Sequence, residues 1–168
     1  VSAEQVQNAV LEISEKVNRA YRRAEKLIAI VLLEGARPFA NDLVKHLNVP
    51  VEIVYIKASS YNGGTESSGK VNIKNETELP NRLAGQDVLI IDDIYDTGLT
   101  LDAVTKFIAE CGPKSLRLCV LLEKKIKHKV ELQIDFPGLK IEDLFVVGYG
   151  LDYNEKHREL PFIAEYPG

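Results

Sequence analysis

Apolar positions along this chain follow two periods, a helical one near 3.6 and short continuous runs typical of buried strands. Val6, Ala9, Val10, Ile13, Val17, Ala20 and Tyr21 share one helical stripe. Ser2 precedes them and sets up a capping box with Gln5. Leu27 to Leu33 is unbroken apolar sequence and reads as a buried strand. After a tight loop, Glu34-Gly35-Ala36-Arg37, Pro38 suits a first helical position, and that helix should reach about Leu47. Val51 to Ile56 is a strand candidate, and Val71 to Ile73 a short strand pairing back on the chain. Asp87 leads into Val88-Leu89-Ile90-Ile91, the signature of a central parallel strand. A helix from about Thr100 to Glu110 is closed by Gly112-Pro113, and Leu116 to Leu122 is a further buried strand. Leu132 to Phe136 reads as a weaker strand before a Pro137-Gly138 turn, and Phe145 to Gly148 as the last one. Strands alternating with helices predict the α/β class, a mainly parallel central sheet flanked by helices.

The 168 residues fit one domain spanning residues 1–168. The apolar runs are too short to cross a bilayer, and no signal-peptide pattern opens the chain, so a cytoplasmic location is expected. A formal net charge of −4 argues against general nucleic-acid binding, which needs a broad basic surface. An anionic small substrate needs only a local site and stays open. Cys111 and Cys119 make no disulfide framework, and neither has a histidine in a known nucleophile pattern.

The informative segment runs from Asp92 to Thr100, Asp-Asp-Ile-Tyr-Asp-Thr-Gly-Leu-Thr. Ligands of open α/β sheets bind outside the carboxyl ends of the strands. Here two adjacent carboxylates follow a buried strand, where like charges raise the energy with no structural gain. Asp96-Thr97-Gly98-Leu99-Thr100 then turns into a helix whose free N–H groups and hydroxyls can hold a phosphate. Acids for vicinal hydroxyls beside a phosphate cradle match a phosphorylated sugar. The plain alternative is that Asp96 or Thr97 merely caps the helix. A receiver domain carries its acid pair near the chain start. An aspartyl-phosphate phosphatase needs acids at i and i+2, a spacing this run lacks.

The acid pair, Asp96 and Thr97-Gly98-Leu99-Thr100 resemble the phosphoribosyl pyrophosphate signature of type I phosphoribosyltransferases. Ser59-Ser60-Tyr61 with Gly63-Gly64-Thr65-Glu66-Ser67-Ser68-Gly69 is similar to the flexible loop of the hypoxanthine-guanine branch. So is Phe145 to Glu155 with Arg158 and Leu160-Pro161, similar to that branch's base-binding segment. The resemblance implies the type I fold with a small hood built from the chain's terminal regions, and purine salvage as the activity. It implies that Asp92 and Asp93 hold the ribose hydroxyls, directly or through Mg²⁺. Asp96 would sit near the purine N7 as general base or acid, with the turn from Asp96 to Thr100 (Thr97, Gly98 and Leu99 between them) on the 5′-phosphate. Lys124 would reach the purine 6-oxo group, Phe145 would stack on the base, and the Val146 carbonyl would read the exocyclic position. Asp152 would help bind Mg²⁺ and pyrophosphate beside the base, Arg158 would contact pyrophosphate, and Ser60 and Tyr61 would belong to a lid. A homodimer or homotetramer is implied as well, acting on phosphoribosyl pyrophosphate and a purine base, with neither nucleic acid nor membrane as partner.

Three positions depart from the family pattern. Glu34 stands in Leu33-Glu34-Gly35 where lysine is usual in the pyrophosphate loop, Leu99 replaces a polar residue, and Lys57 stands where arginine is common. In the family this loop binds through backbone N–H groups, so the resemblance implies that Glu34 and Gly35 still form the subsite, with the Glu34 carboxylate expected to turn away and Arg37 to supply the missing cation. The basic run Lys124 to Lys129 otherwise reads as a solvated loop. His46, His128 and His157 lack metal-ligand spacing and read as surface or satisfied residues. The competing readings are a non-enzymatic RNA-binding regulator on the same fold and a salvage enzyme for xanthine or adenine.

Overall fold

The computed structural model describes residues 1–60, 71–73 and 78–167. Helix α1 (Ala3–Ala20) starts at Ser2, whose side chain and Gln5 form the expected reciprocal capping box. Strand β1 (Leu27–Leu32) is buried along its whole length, and α2 (Arg37–Val44) starts at the proline turn but stops short of Leu47. Strand β2 (Val51–Ile56) is followed by β3 (Ala58–Ser60), which pairs antiparallel with β4 (Val71–Ile73). Tyr61 and residues 62–69, expected to form the lid, lie outside the described residues.

After the short α3 (Leu79–Leu83) comes β5 (Asp87–Tyr95), then α4 (Leu99–Glu110), β6 (Ser115–Lys124) and β7 (Phe136–Ile141). The small strands β8 (Val146–Val147) and β9 (Ala164–Glu165) pair with each other outside the main sheet. That sheet has five strands in the order β2-β1-β5-β6-β7, all parallel. Period-2 alternation divides its side chains between two layers. Leu27, Ala29, Val31, Leu89 and Ile91 pack with α1 and α2, whereas Ile28, Ile30, Val88 and Ile90 pack with α3 and α4.

Four expectations need correction. Leu132 to Phe136 is not a strand; β7 begins at Phe136 and runs through Pro137-Gly138 instead of turning there. β7 is the sheet's edge, where proline is tolerated, and the Leu121 carbonyl comes so close to Gly138 that a side chain would not fit. The acid pair does not follow its strand but lies inside β5, and β6, expected to end at Leu122, runs on to Lys124. Phe145 precedes a two-residue strand and does not belong to the main sheet.

Chain order reverses between β1 and β5, since β1 leads outward to β2 and the chain then returns to β1's other side. The crevice at the carboxyl ends of these two strands is the topological switch point, the usual ligand position in such sheets.

Candidate active site

The acid pair stands at that crevice. Alternation slips by one across it: Ile94 packs with the α1–α2 layer and Tyr95 with the other, and the ladder to β6 passes from Asp92 to Ile94. The register to β6 is the same before and after this step, so no residue is inserted; the neighbouring strand loses its alternation at the same level, Leu121 and Leu122 both packing in the α1–α2 layer. The backbone here is satisfied locally, with the Asp93 N–H donating to Asp92 Oδ1 and the Ile94 N–H to Asp93 Oδ1, each at 2.8 Å. Burial raises both carboxyls above the ordinary range, Asp92 the further, with the Asp93 charge adding to its shift. The nearby Arg158 charge works in the other direction on Asp93.

The native state therefore holds protons here more tightly than the unfolded chain does. Stability falls as pH rises from the ordinary carboxylate range through the raised native value. Asp92→Asn removes that cost and keeps the oxygen that accepts the Asp93 N–H. It is expected to raise Tm at pH 7 by about 2–4 °C, the scale of roughly 1 kcal/mol in a domain of this size. The gain should vanish below about pH 4, where the parent carboxyl is protonated too. Calorimetry at the two pH values checks this, and an unchanged or lower Tm at pH 7 would refute it.

The loop after β1 forms the facing wall. A Cβ on Gly35 would stand 1.9 Å from Asp93 Oδ2, so the backbone of this loop lies directly on the acid pair. The Leu33–Glu34 peptide is cis. The Glu34 carboxylate turns to Arg37, Oε2 to Nε 3.6 Å, and both side chains stay half in solvent. Arg37 also lies over the Tyr55 ring, 4.7 Å from its centre. In this structure the arginine is engaged with Glu34 and the Tyr55 ring. The exposed pair is worth at most about 1 kcal/mol. Glu34→Ala is expected to leave kcat/KM for phosphoribosyl pyrophosphate within about tenfold of the parent. Arg37→Ala should cost more, by releasing the carboxylate toward the loop, and the double substitution should recover the loss, as coupled neighbours do. A double variant as poor as Arg37→Ala would show that the arginine acts on its own.

The turn after β5 places Asp96. Gly98 is the N-cap of α4 with φ of +86°, a left-handed conformation that favours glycine, and the Thr97 hydroxyl accepts from the Leu99 N–H at 3.3 Å. No side chain makes the usual cap bond to α4 and Asp96 makes no bond to the helix, so the plain capping reading fails for that residue. Its Oδ2 instead lies 3.0 Å from Lys124 Nζ, at the neighbouring end of β6. Lys124 is 10% exposed and Asp96 45%, so a sheltered ammonium holds a carboxylate that opens toward the crevice. Asp143 Oδ1 approaches the same ammonium at 3.3 Å. Burial alone would lower the lysine's pKa; the two carboxylates outweigh it and raise it.

The C-terminal segment closes the third side. Arg158 donates to the Gly150 carbonyl at 2.7 Å and pairs with Asp152 at 3.3 Å, while Asp152 also accepts the Glu155 N–H at 2.8 Å. A Cβ on Gly150 would stand 2.2 Å from the Gly35 carbonyl oxygen, which seats this segment on the loop after β1. The Tyr149 hydroxyl donates to Asp42 of α2, and burial with that carboxylate raises its pKa. Phe145 is 54% exposed, so it is not core; Tyr153 and Tyr166 meet it edge-on, with centroids 6.0 and 6.2 Å away. Val146 pairs with Glu165 across β8–β9.

A phosphoribosyl transferase domain matches residues 2–154. The chain belongs to the phosphoribosyltransferase family. The hypoxanthine-guanine phosphoribosyltransferase of Bacillus subtilis is 40% identical over 164 residues, covering 98% of this chain and 89% of that protein. That of Mycobacterium bovis is 38% identical, covering 98% and 83%. A crystal structure of a hypoxanthine-guanine phosphoribosyltransferase from Bacillus anthracis superposes with a TM-score of 0.88 at 38% identity, covering 99% of this chain and 96% of that one. The fold is therefore the type I phosphoribosyltransferase fold, and the chain is a transferase.

In this phosphoribosyltransferase the structure gathers Asp92, Asp93, Asp96 and Lys124 at adjacent strand ends, with Gly35 against the acids. Asp152 and Arg158 meet each other on the segment that covers Gly35. Ser60 ends β3, and Tyr61 is not among the described residues. Sequence reasoning missed Asp143 and the aromatic packing of Tyr166, whereas His128, read as surface or satisfied, is buried and satisfied by the Asp96 carbonyl. No local pattern marks these residues, because their partners lie far away in the chain.

Proposed function

We propose that this chain transfers the 5-phosphoribosyl group of phosphoribosyl pyrophosphate to hypoxanthine or guanine, giving the nucleoside 5′-monophosphate and pyrophosphate. The observation that carries it is the Asp96–Lys124 pair, set beside a buried acid pair and a phosphate-suited turn at one switch point. A bond forms between purine N9 and C1′ as the bond from C1′ to pyrophosphate breaks, and one proton leaves the base. Asp96 takes that proton at N7. Lys124 has three donors, and its bonds to Asp96 and Asp143 leave one for the purine 6-oxo group. Adenine presents an amino donor there and meets a second donor. Phe145 offers an exposed face for stacking, and the Val146 carbonyl reads the position beyond. Thr97 to Thr100 hold the 5′-phosphate at the first turn of α4. The Glu34–Gly35 backbone and Arg158 receive the pyrophosphate.

The donor set suits Mg²⁺ that arrives with the substrate. Among the described residues no three acids or histidines gather into a protein cage. Mg²⁺ is commonly held by one or two carboxylates plus substrate phosphates, and Asp92 and Asp93 are two buried carboxylates whose charge a cation would relieve. Asp152, tied to Arg158 on the C-terminal segment, is the candidate donor to an ion on the pyrophosphate side, apart from the acid pair. Bound there, the ion would neutralise charge developing on the leaving pyrophosphate.

Incubation with phosphoribosyl pyrophosphate, Mg²⁺ and hypoxanthine should yield inosine monophosphate and pyrophosphate one to one, resolved by anion-exchange chromatography. EDTA in excess should stop it. No nucleotide from any purine base would overturn the proposal.

A further inference from the structure

His128 lies in the connection between β6 and β7, inside the run whose composition reads as solvated, yet it is buried. Its ring stacks on Tyr95, centroids 3.7 Å apart and planes 13° off parallel. Its Nδ1 bonds to the backbone carbonyl oxygen of Asp96. A carbonyl oxygen only accepts, so Nδ1 carries the proton and donates. Nε2 faces Glu123 at 3.9 Å.

The connection braces the turn at further points. Tyr95 donates to the Val130 carbonyl at 2.7 Å and accepts the Leu132 N–H at 2.9 Å. The Val130 N–H donates to the Thr97 carbonyl at 3.1 Å, and the Val130 carbonyl oxygen would lie 2.7 Å from a Cβ on Gly98. Of these braces, the His128 bond is the one made to Asp96 itself. Asp96 is thus gripped twice, its backbone by His128 and its carboxylate by Lys124. A phenylalanine would supply the stacking without a polar group to satisfy, so packing does not account for an imidazole here.

We propose that His128 is a positioning residue for phosphoribosyl transfer. Its Nδ1–H fixes the Asp96 backbone, and this sets where the carboxylate meets the base. The inference rests on the reading of Asp96 as the proton acceptor. Misplacing a reacting group by about 1 Å can cost 10²-fold in rate, so a partial loss of position should show in kcat.

The test is steady-state formation of inosine monophosphate by His128→Phe, His128→Asn and His128→Gln, at a temperature where melting curves show each variant folded. Asparagine places its amide N–H near the Nδ1 position; glutamine places it near Nε2. His128→Phe is expected to lower kcat about tenfold with both KM values within about threefold of the parent. Asparagine should restore most of kcat and glutamine should not. Parental kcat in His128→Phe, whatever its melting temperature, would overturn the proposal, as would asparagine and glutamine variants slowed alike. If His128→Phe fails to fold, the asparagine–glutamine comparison decides alone. Asp96→Asn in the same assay separates the two ideas. A slow Asp96→Asn beside a parental His128→Phe sinks the positioning role only, and a parental Asp96→Asn removes the role of Asp96 and this inference with it.

Discussion

Asp96→Asn will lower kcat for nucleotide formation by about 10²-fold or more, the usual size of a lost general acid–base step. Asparagine matches aspartate in shape and keeps an oxygen that can accept from Lys124, 3.0 Å away in the parent. The backbone carbonyl that His128 holds is untouched. The geometry of the turn should therefore persist while the group that accepts the proton is gone, and KM for the base should change by less than about threefold. Steady-state kinetics with hypoxanthine checks this. A kcat within about threefold of the parent would leave Asp96 only an electrostatic anchor for Lys124.

Gly35→Ala should be comparably severe for a steric reason. The new methyl would stand 1.9 Å from Asp93 Oδ2, far inside contact distance, and the neighbouring carbonyl is already pressed against Gly150. Either Asp93 rotates away or the loop after β1 withdraws from the crevice. The first misaims an acid assigned to the ribose, and the second opens the pyrophosphate subsite. We expect kcat/KM for phosphoribosyl pyrophosphate to fall about 10²-fold, with overpacking costing about 1–3 kcal/mol of stability. Kinetics and chemical denaturation on the same preparation separate the two effects. A fully active Gly35→Ala would mean that the loop and the acid pair do not act as one site.

Much of the sheet was legible because its strands obey simple periods. β1 and the core of β5 are continuous apolar runs, β2 is apolar apart from Glu52, and α1 and α4 carry helical stripes with readable starts. β7 was misread because Pro137-Gly138 is a turn signal that an edge strand overrides. β5 was read too short because Asp92 and Asp93 interrupt its apolar pattern, although the ladder continues past them to Tyr95. Short pairs such as β3–β4 and β8–β9 carry too few residues to show a period at all.

The site divides in the same way. Asp92, Asp93, Asp96 and the turn to Thr100 lie in one short segment, so their spacing could be read directly. Lys124 was reached by resemblance. His128 was read as a surface or satisfied residue because its partner is a backbone carbonyl far away in sequence, and such a bond leaves no trace in composition. The Glu34–Arg37 pair was seen only in part. The carboxylate does turn aside, but it does so onto the very arginine that charge counting had assigned to the substrate.

The central claim is that the crevice at the ends of β5 and β6 selects a 6-oxopurine for phosphoribosyl transfer through Lys124. The most direct measurement is kcat/KM for hypoxanthine and for adenine under saturating phosphoribosyl pyrophosphate and Mg²⁺. Sites built to hydrogen-bond one group reject analogues that leave their polar groups unpaired by large factors, so hypoxanthine should exceed adenine by about 10²-fold or more. Equal kcat/KM values for the two bases would contradict the account.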